Sequence, residues 1–349
     1  MSRVGIIANP ASGKDIRRLV SHATVISNTE KTDVVKRVIL GLDSTGVDEI
    51  LIMPDYFGLG IRALEALNHH RVSPKISFLD LEIQGNQEDS IQAARMMKES
   101  RVDCIITLGG DGTNRVVSKA CGEVPLIPIS TGTNNVFPVM SEGTTAGMAA
   151  GILARKIVDE KKVTTSMKKL KLMAGAEERD LALVDVAVVT ESFIGARALW
   201  DMQQVNQIFL TQAEPGSIGL RSIGAALRPV RSEDPFGLWV ELSPGGEEVQ
   251  APIAPGLILT LEVKSYRVLE PGERVSITQF PSIIALDGER EVEVNTPDGF
   301  ELALSMDGPR VASIPKILRE AAKKGFFRVG GKWHQGDNHG LKSRGSVGA

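Results

Sequence analysis

The sequence predicts an α/β fold: an N-terminal doubly wound parallel-sheet domain followed by a mostly antiparallel β domain. Three observations carry this reading. The first 130 residues alternate apolar, strand-like runs with stretches of helical period, the rhythm of parallel strands joined by crossover helices. Beyond Lys156 candidate strands crowd together with turn residues between them, as in an antiparallel domain. Within the first of these segments, the apolar run Val102–Leu108 breaks into Gly109-Gly110-Asp111-Gly112, and Thr113 opens a helical stretch.

Arg3–Ala8 reads as the first strand and Lys14–His22 as a helix. Thr29–Leu42 carries Val34, Val35, Val38, Ile39 and Leu42 at helical spacing. Strand Glu49–Met53, helix Leu59–Leu67, strand Ile76–Leu81 and helix Gln87–Glu99 follow. Next come the central strand 102–108, helix 113–121 and strand Val124–Ile129. A parallel sheet of this kind takes ligands beyond the carboxyl ends of its strands, which is where Asp111 falls. After a helix near Thr144–Lys156, strands are expected at Leu170–Ala174, Leu181–Val189, Gly237–Leu242, Gly256–Val263, Val275–Thr278, Ser282–Leu286, Glu291–Val294 and Glu301–Ser305. Pro244-Gly245-Gly246, Pro271-Gly272 and Pro297-Asp298-Gly299 supply turn signals. The division is 1–135 for the α/β nucleotide-binding domain and 136–311 for the β domain. A helix within 312–329 is expected to pack back on the first domain. The tail 330–349 has no apolar period and is expected to be mobile.

A chain of 349 residues is too long for one small core, so two domains are the natural expectation. Its net charge of −3 and lack of any long basic run argue against nucleic acid or an anionic membrane as partner. No apolar stretch approaches a membrane span or a signal peptide. Cys104 and Cys121 are the whole cysteine complement, which excludes a disulfide framework, fits a cytoplasmic location and makes both small buried hydrophobes. Neither they nor the five histidines have metal-ligand spacing.

Three glycines around Asp111 allow backbone N–H groups to turn toward an anion, while the carboxylate suits a magnesium shell or a base for a hydroxyl. A tight turn with an aspartate at a helix start explains the same residues equally well. After the first strand, Asn9-Pro10-Ala11-Ser12-Gly13-Lys14 invites a P-loop reading, but Ala8 and Asp15 stand where that loop needs glycine and Ser or Thr. Ser12, Gly13 and Lys14 can still meet a phosphate, or simply form a capped turn. Strand 124–129 ends in Ser130-Thr131-Gly132-Thr133-Asn134-Asn135, whose hydroxyls and amides can hold ribose and phosphate oxygens.

Gly109-Gly110-Asp111-Gly112-Thr113 followed by Thr131-Gly132-Thr133-Asn134-Asn135 resembles the superfamily of NAD kinases and diacylglycerol/sphingosine kinases. Asn9-Pro10 with Ser12-Gly13-Lys14 is similar to its first phosphate loop, and the run Ile7–Arg18 most resembles the acetoin-catabolism protein X branch. The resemblance spans nearly the whole chain. It implies a β-sandwich-like second domain, an interdomain active site and a homo-oligomer, either dimer or tetramer. It further implies ATP as phosphate donor, Mg bound through the phosphates rather than by protein ligands, and a small-molecule or dinucleotide acceptor. By this resemblance Asp111 would activate the acceptor hydroxyl. Gly109, Gly110, Gly112, Thr113, Asn9, Ser12, Lys14, Thr131, Gly132, Thr133 and Asn134 would form the nucleotide and phosphate site. Acceptor contacts would come from Asn135, Asp185, Ser217, Arg221, Asp287 and Glu289. Leu183-Val184-Asp185 matches the family's Leu-Asn-Glu/Asp element with valine in place of asparagine. Pro215–Ser222 matches a dinucleotide element but lacks its threonine and tyrosine and adds Arg221. Asp287-Gly288-Glu289 matches an Asp-Gly-Glu element, with Asp307-Gly308 as competitor and a hairpin turn as the plain alternative for either. Kinase chemistry therefore survives the comparison better than NAD specificity. A kinase of a small hydroxylated metabolite and a non-catalytic NAD(H)/ATP sensor stay open beside an NAD(H) kinase.

Overall fold

The computed structural model describes residues 1–12, 26–67, 71–132, 134–190, 202–295 and 299–328. The helix expected over Lys14–His22, the residues Lys14 and Thr133, and the tail 330–349 lie outside this set.

Five parallel strands form the first sheet: β1 (Arg3–Ala8), β2 (Glu49–Ile52), β3 (Lys75–Phe78), β4 (Cys104–Gly109) and β5 (Leu126–Ser130). Their order is β3-β2-β1-β4-β5, so the chain steps outward from β1 and then returns to its other side at β4. That reversal puts the switch point, and hence the ligand crevice, at the carboxyl ends of β1 and β4. Pairing Ala8 with Leu108 starts the loops after both strands side by side.

Both faces of the sheet are covered. On one side α1 (Asn28–Thr45), α2 (Leu59–Glu65) and α5 (Gly143–Ala154) pack over Val4, Ile6, Ile50 and Ile106. On the other, α3 (Gln87–Glu99) and α4 (Asp111–Ser118) cover Ile7, Leu51 and Ile105. The alternation of Ile6 and Ile7 between two cores is why β1 reads as an unbroken apolar run. Helix α1 starts on a capping box, Ser27 with Glu30, and stops at Gly46 with φ 74°.

The first unit does not end at residue 135. Helix α5 joins its core, as does the short α6 (Glu160–Val163) through Val163. Strands β6 (Thr164–Ser166) and β17 (Arg310–Ala312) extend its sheet in the order β5-β17-β6. The last helix, α8 (Ile314–Lys323), places Ile317 and Ala321 in the same core. Helix α5, past the expected boundary at 135/136, is apolar nearly all round because it lies between α1 and the sheet.

The second unit is a sandwich. Strands β7 (Lys169–Ala174), β8 (Glu177–Ala182), β13 (Arg274–Ser276) and β16 (Phe300–Ser305) form one sheet in the order β13-β16-β7-β8. Strands β9 (Asp185–Val189), β10 (Val205–Leu210), β11 (Gly237–Ala254), β12 (Leu257–Leu269), β14 (Ser282–Leu286) and β15 (Glu289–Val294) form the other, ordered β12-β11-β10-β9-β14-β15. Leu170, Leu172, Val186, Val188, Ile284 and Leu304 fill the space between the sheets. The outer face of the six-stranded sheet is covered by α7 (Leu220–Leu227) through Leu220 and Ile223.

Two expected elements differ. Leu181–Val189 is two strands, split at Leu183-Val184. Pro244-Gly245-Gly246 is a bulge inside β11 instead of a turn between strands: Leu242 and Glu247 both pair with Val263. Gly246 is required there, since a Cβ would lie 2.3 Å from the Val263 carbonyl oxygen.

Candidate functional site

Asp111 is the first residue of α4, at the carboxyl end of β4. Its carboxylate crosses to the loop after β5, where Oδ1 accepts the N–H groups of Val136 at 2.9 Å and Phe137 at 2.8 Å. Gly110, the N-cap, supplies no side-chain cap, so the first-turn N–H groups of α4 are left to the crevice. The glycines of this turn are dictated by close approach. A Cβ on Gly109 would stand 2.5 Å from the Thr113 side chain, and one on Gly110 would stand 2.9 Å from Asn135 Oδ1.

Asn9 joins the two strand-end loops. Its backbone N–H donates to Leu108 O (3.0 Å), its Nδ2 donates to Thr113 Oγ1 (3.0 Å) and its Oδ1 accepts from Ala11 N (2.8 Å). Ser12 Oγ donates to Asn9 O at 2.8 Å and accepts from Thr131 Oγ1 at 3.1 Å. The third loop closes on itself: Ser130 Oγ donates to Gly132 O (2.7 Å) and accepts from Asn135 Nδ2 (2.8 Å). Asn134 is exposed in that loop, and Asn135 holds the loop's shape. Asn9, Ser12, Gly109, Gly110, Thr113, Thr131 and Gly132 thus converge on one crevice.

The second unit approaches Asp111 through three segments. Asp185 opens β9, and Asp287 follows β14 at φ 50°. Asp287 was expected on the acceptor surface; it is instead buried, accepting N–H groups from Leu183 (2.9 Å), Val184 (2.8 Å) and Asp185 (3.2 Å). The break between β8 and β9 leaves three N–H groups without ladder partners, and this carboxylate serves them. Burial pushes the Asp287 acid up to about 6, Asp111 nearby adds to the shift, and Arg115 and the N–H donors oppose it. Glu289 lies against the turn: its Oε1 is 3.0 Å from where a Gly112 Cβ would be, and its Oε2 accepts from Gln87 Nε2 at 2.9 Å. Ser217 makes a local turn bond to Glu214 O. Arg221, on α7, is half-buried, within electrostatic reach of Asp111, Asp185 and Glu214. Burial lowers the pKa of its guanidinium from the usual value, and those three carboxylates oppose the shift.

Two functional neighbours have no sequence signal of their own. Lys31, fully buried on α1, donates Nζ to the carbonyls of Asn9 (3.1 Å), Pro10 (3.2 Å) and Ser12 (2.8 Å), so a cation underlies the first loop. Arg115, also fully buried, lies one turn below Asp111 and pairs with Asp180 of β8 at 3.2 Å. Both sit on helices where a charged residue reads as solvent-facing.

Cys104 and Cys121 are buried free thiols, and burial pushes both toward the neutral form. Among the described residues no cluster of three His, Cys, Asp or Glu side chains is placed to hold a metal ion. No helix among the described residues is long and apolar enough to cross a membrane.

A glycine turn bearing an aspartate thus stands at the switch point of a parallel sheet, with an antiparallel sandwich beside it. Residues 4–157 match the ATP-NAD kinase N-terminal domain. Residues 168–307 match the acetoin catabolism protein X C-terminal domain. The acetoin catabolism protein X of Cupriavidus necator is 37% identical over 336 residues, covering 93% of this chain and 94% of the relative. The chain belongs to the acetoin catabolism protein X family. Among solved structures, yeast NADH kinase complexed with NADH aligns over 96% of this chain and 90% of its own, at 14% identity and a TM-score of 0.47.

Proposed function

We propose that the crevice transfers a phosphoryl group from ATP, in the presence of magnesium, to a hydroxyl of NAD(H) or a related acceptor. The observation that carries this reading is Asp111: a carboxylate fixed by two backbone N–H groups at the uncapped start of α4. Such a group is aimed and rigid, as a base for a hydroxyl needs to be. In the proposed step the acceptor hydroxyl gives its proton to Asp111 as its oxygen bonds to the terminal phosphorus. The bond from phosphorus to the bridging oxygen breaks, and ADP leaves. The α4 N-terminus, the Ser12 and Thr131 hydroxyls and Thr113, held by Asn9, hold phosphate oxygens; Lys14 belongs to the same proposed set. Magnesium on the phosphates would neutralise charge developing there.

One observation favours a second acceptor class. Val184, at the family's asparagine position, packs in a buried cluster with Phe137, Leu181 and Leu183 and offers a ligand no hydrogen bond. That supports a small hydroxylated metabolite linked to acetoin catabolism as acceptor. It also supports a sensor that binds NAD(H) or ATP without turnover. The proposed setting is a cytoplasmic homo-oligomer.

Transfer from ATP to NAD, NADH and a panel of small alcohols, with Asp111→Asn alongside, tests the reading. Asn keeps the shape and loses the base, so kcat is expected to fall by about 10²–10⁴ with the fold intact. Undiminished transfer by folded Asp111→Asn protein would falsify the role, and tight nucleotide binding with no product from any acceptor would establish the sensor.

A further inference from the structure

Arg221 is the second residue of α7, and the start of that helix is fixed from two sides. Gly219, at φ 85°, donates its N–H to Pro252 O at 3.0 Å, and Ser222 Oγ reaches the same carbonyl at 3.2 Å. The long hairpin of β11 and β12 therefore anchors the helix from outside, while Leu220 and Ile223 lock it onto the six-stranded sheet.

Among the described residues none is placed to hydrogen-bond the buried Nε of Arg221. Asp111, Asp185 and Glu214 act on it through space. Arg115 differs in one respect: none of the described residues is placed to hydrogen-bond its Nε either, but its Nη1 sits 3.2 Å from Asp180 in an ion pair. If Arg221 only balanced charge, a contact of that kind would serve better. A buried N–H donor left unmade costs free energy that a ligand acceptor can recover. Of the residues beside Asp111 on the acceptor side, Asp185 and Glu289 are carboxylates, so an oxyanion entering there is repelled except on the side of Arg221. The same charges welcome hydroxyl protons. The site thus sorts the two ends of a ligand, hydroxyl toward Asp111 and oxyanion toward Arg221.

We infer that Arg221 is the specificity-determining residue of the acceptor site, selecting an acceptor that carries a carboxylate or phosphate group beside the hydroxyl taken by Asp111. This rests on the kinase reading of the crevice. Two sources supply such an oxyanion: the carboxylate of a small hydroxy acid and the diphosphate of a dinucleotide.

The test uses the full-length protein, ATP with magnesium, and matched acceptors: glycerate against glycerol, erythronate against erythritol, and NAD against nicotinamide riboside. The charged member of at least one pair is expected to have the lower KM. Arg221→Met keeps the stem and should raise that KM about tenfold or more, leave the neutral twin nearly unchanged, and abolish the preference. Arg221→Lys should restore part of it. Which pair responds tells a hydroxy acid from a dinucleotide. Two results overturn the inference: a wild-type protein indifferent to the charge of every pair, or a uniform loss of kcat with all acceptors in Arg221→Met, the mark of a residue holding the transferred phosphoryl group. If nothing is phosphorylated, the kinase reading fails separately. Thermal stabilisation by the same pairs then decides: a charged-member shift lost in Arg221→Met upholds anion selection, and equal shifts in both proteins, or none, end it.

Discussion

Lys31 shows how one side chain can set a loop that it does not belong to. Its ammonium sits under residues 9–12 and binds three of their carbonyl oxygens, turning the opposite edge of that loop toward Thr113 and Thr131. Lys31→Met keeps the length and removes the donors. It should cost about 1–3 kcal/mol of stability from unsatisfied carbonyls. Affinity for a non-hydrolysable ATP analogue should fall further than stability does, because the loop loses its template; calorimetry on folded variant showing wild-type affinity refutes this. At this scale the sequence is legible where a residue's chemistry matches a motif, as for Asn9, Ser12 and Asp111. It is opaque where a residue type is common and only its burial is unusual. Nothing in Asn28–Thr45 marks Lys31 off from Lys36, which is half-exposed and pairs with Asp33. Asp287 was legible as important, yet its task lies inward, because the chain break it serves at Leu183-Val184 has no signature among apolar residues.

Elements with a single clear period were read closely: β1 and α3 have the expected bounds, and α1 is longer by a few residues. Elements defined by long-range pairing were not. Strand β10 and helix α7 lie in a stretch with mixed periods, and β11 continues through a bulge that only its partner β12 explains. The packing of α1 on α5 also depends on partners. Gly147 of α5 lies so close to α1 that a Cβ would stand 2.2 Å from the Val38 carbonyl oxygen, and on Gly41 a Cβ would meet Thr144 O at 2.3 Å. Glycine costs about 1 kcal/mol of helix propensity at an interior position, so Gly147→Ala would stabilise a free helix. Here the obstacle is main chain, which cannot swing aside, and a net loss of about 1–3 kcal/mol is expected from overpacking. Urea denaturation reads the sign directly: a midpoint at or above that of the wild type means the helices can part without penalty.

At the scale of the whole molecule, α4 is the part shared by both units. Asp111 at its start belongs to the crevice, and Arg115 one turn on reaches Asp180 of the four-stranded sheet, with Lys119 adding a second contact to Asp180 at 2.7 Å. Gln87 and Glu289 make a parallel link from α3 to β15. The orientation of the units, and so the distance between Asp111 and Arg221, is therefore set partly by a buried ion pair. Asp180→Asn leaves the Arg115 charge buried with its partner neutralised. The expected cost is about 3 kcal/mol, at the low end for a broken buried pair because Asp287 also faces that charge. Replacing both partners, Arg115→Met with Asp180→Leu, removes the stranded charge and should recover most of that stability. It should not recover phosphoryl transfer, since apolar contact fills space without fixing the units at one angle. Denaturation and turnover measured on the same two variants separate these effects. A double variant no more stable than Asp180→Asn would show that the pair contributes packing and not charge. One that regains both stability and turnover would show that the angle between the units is set elsewhere.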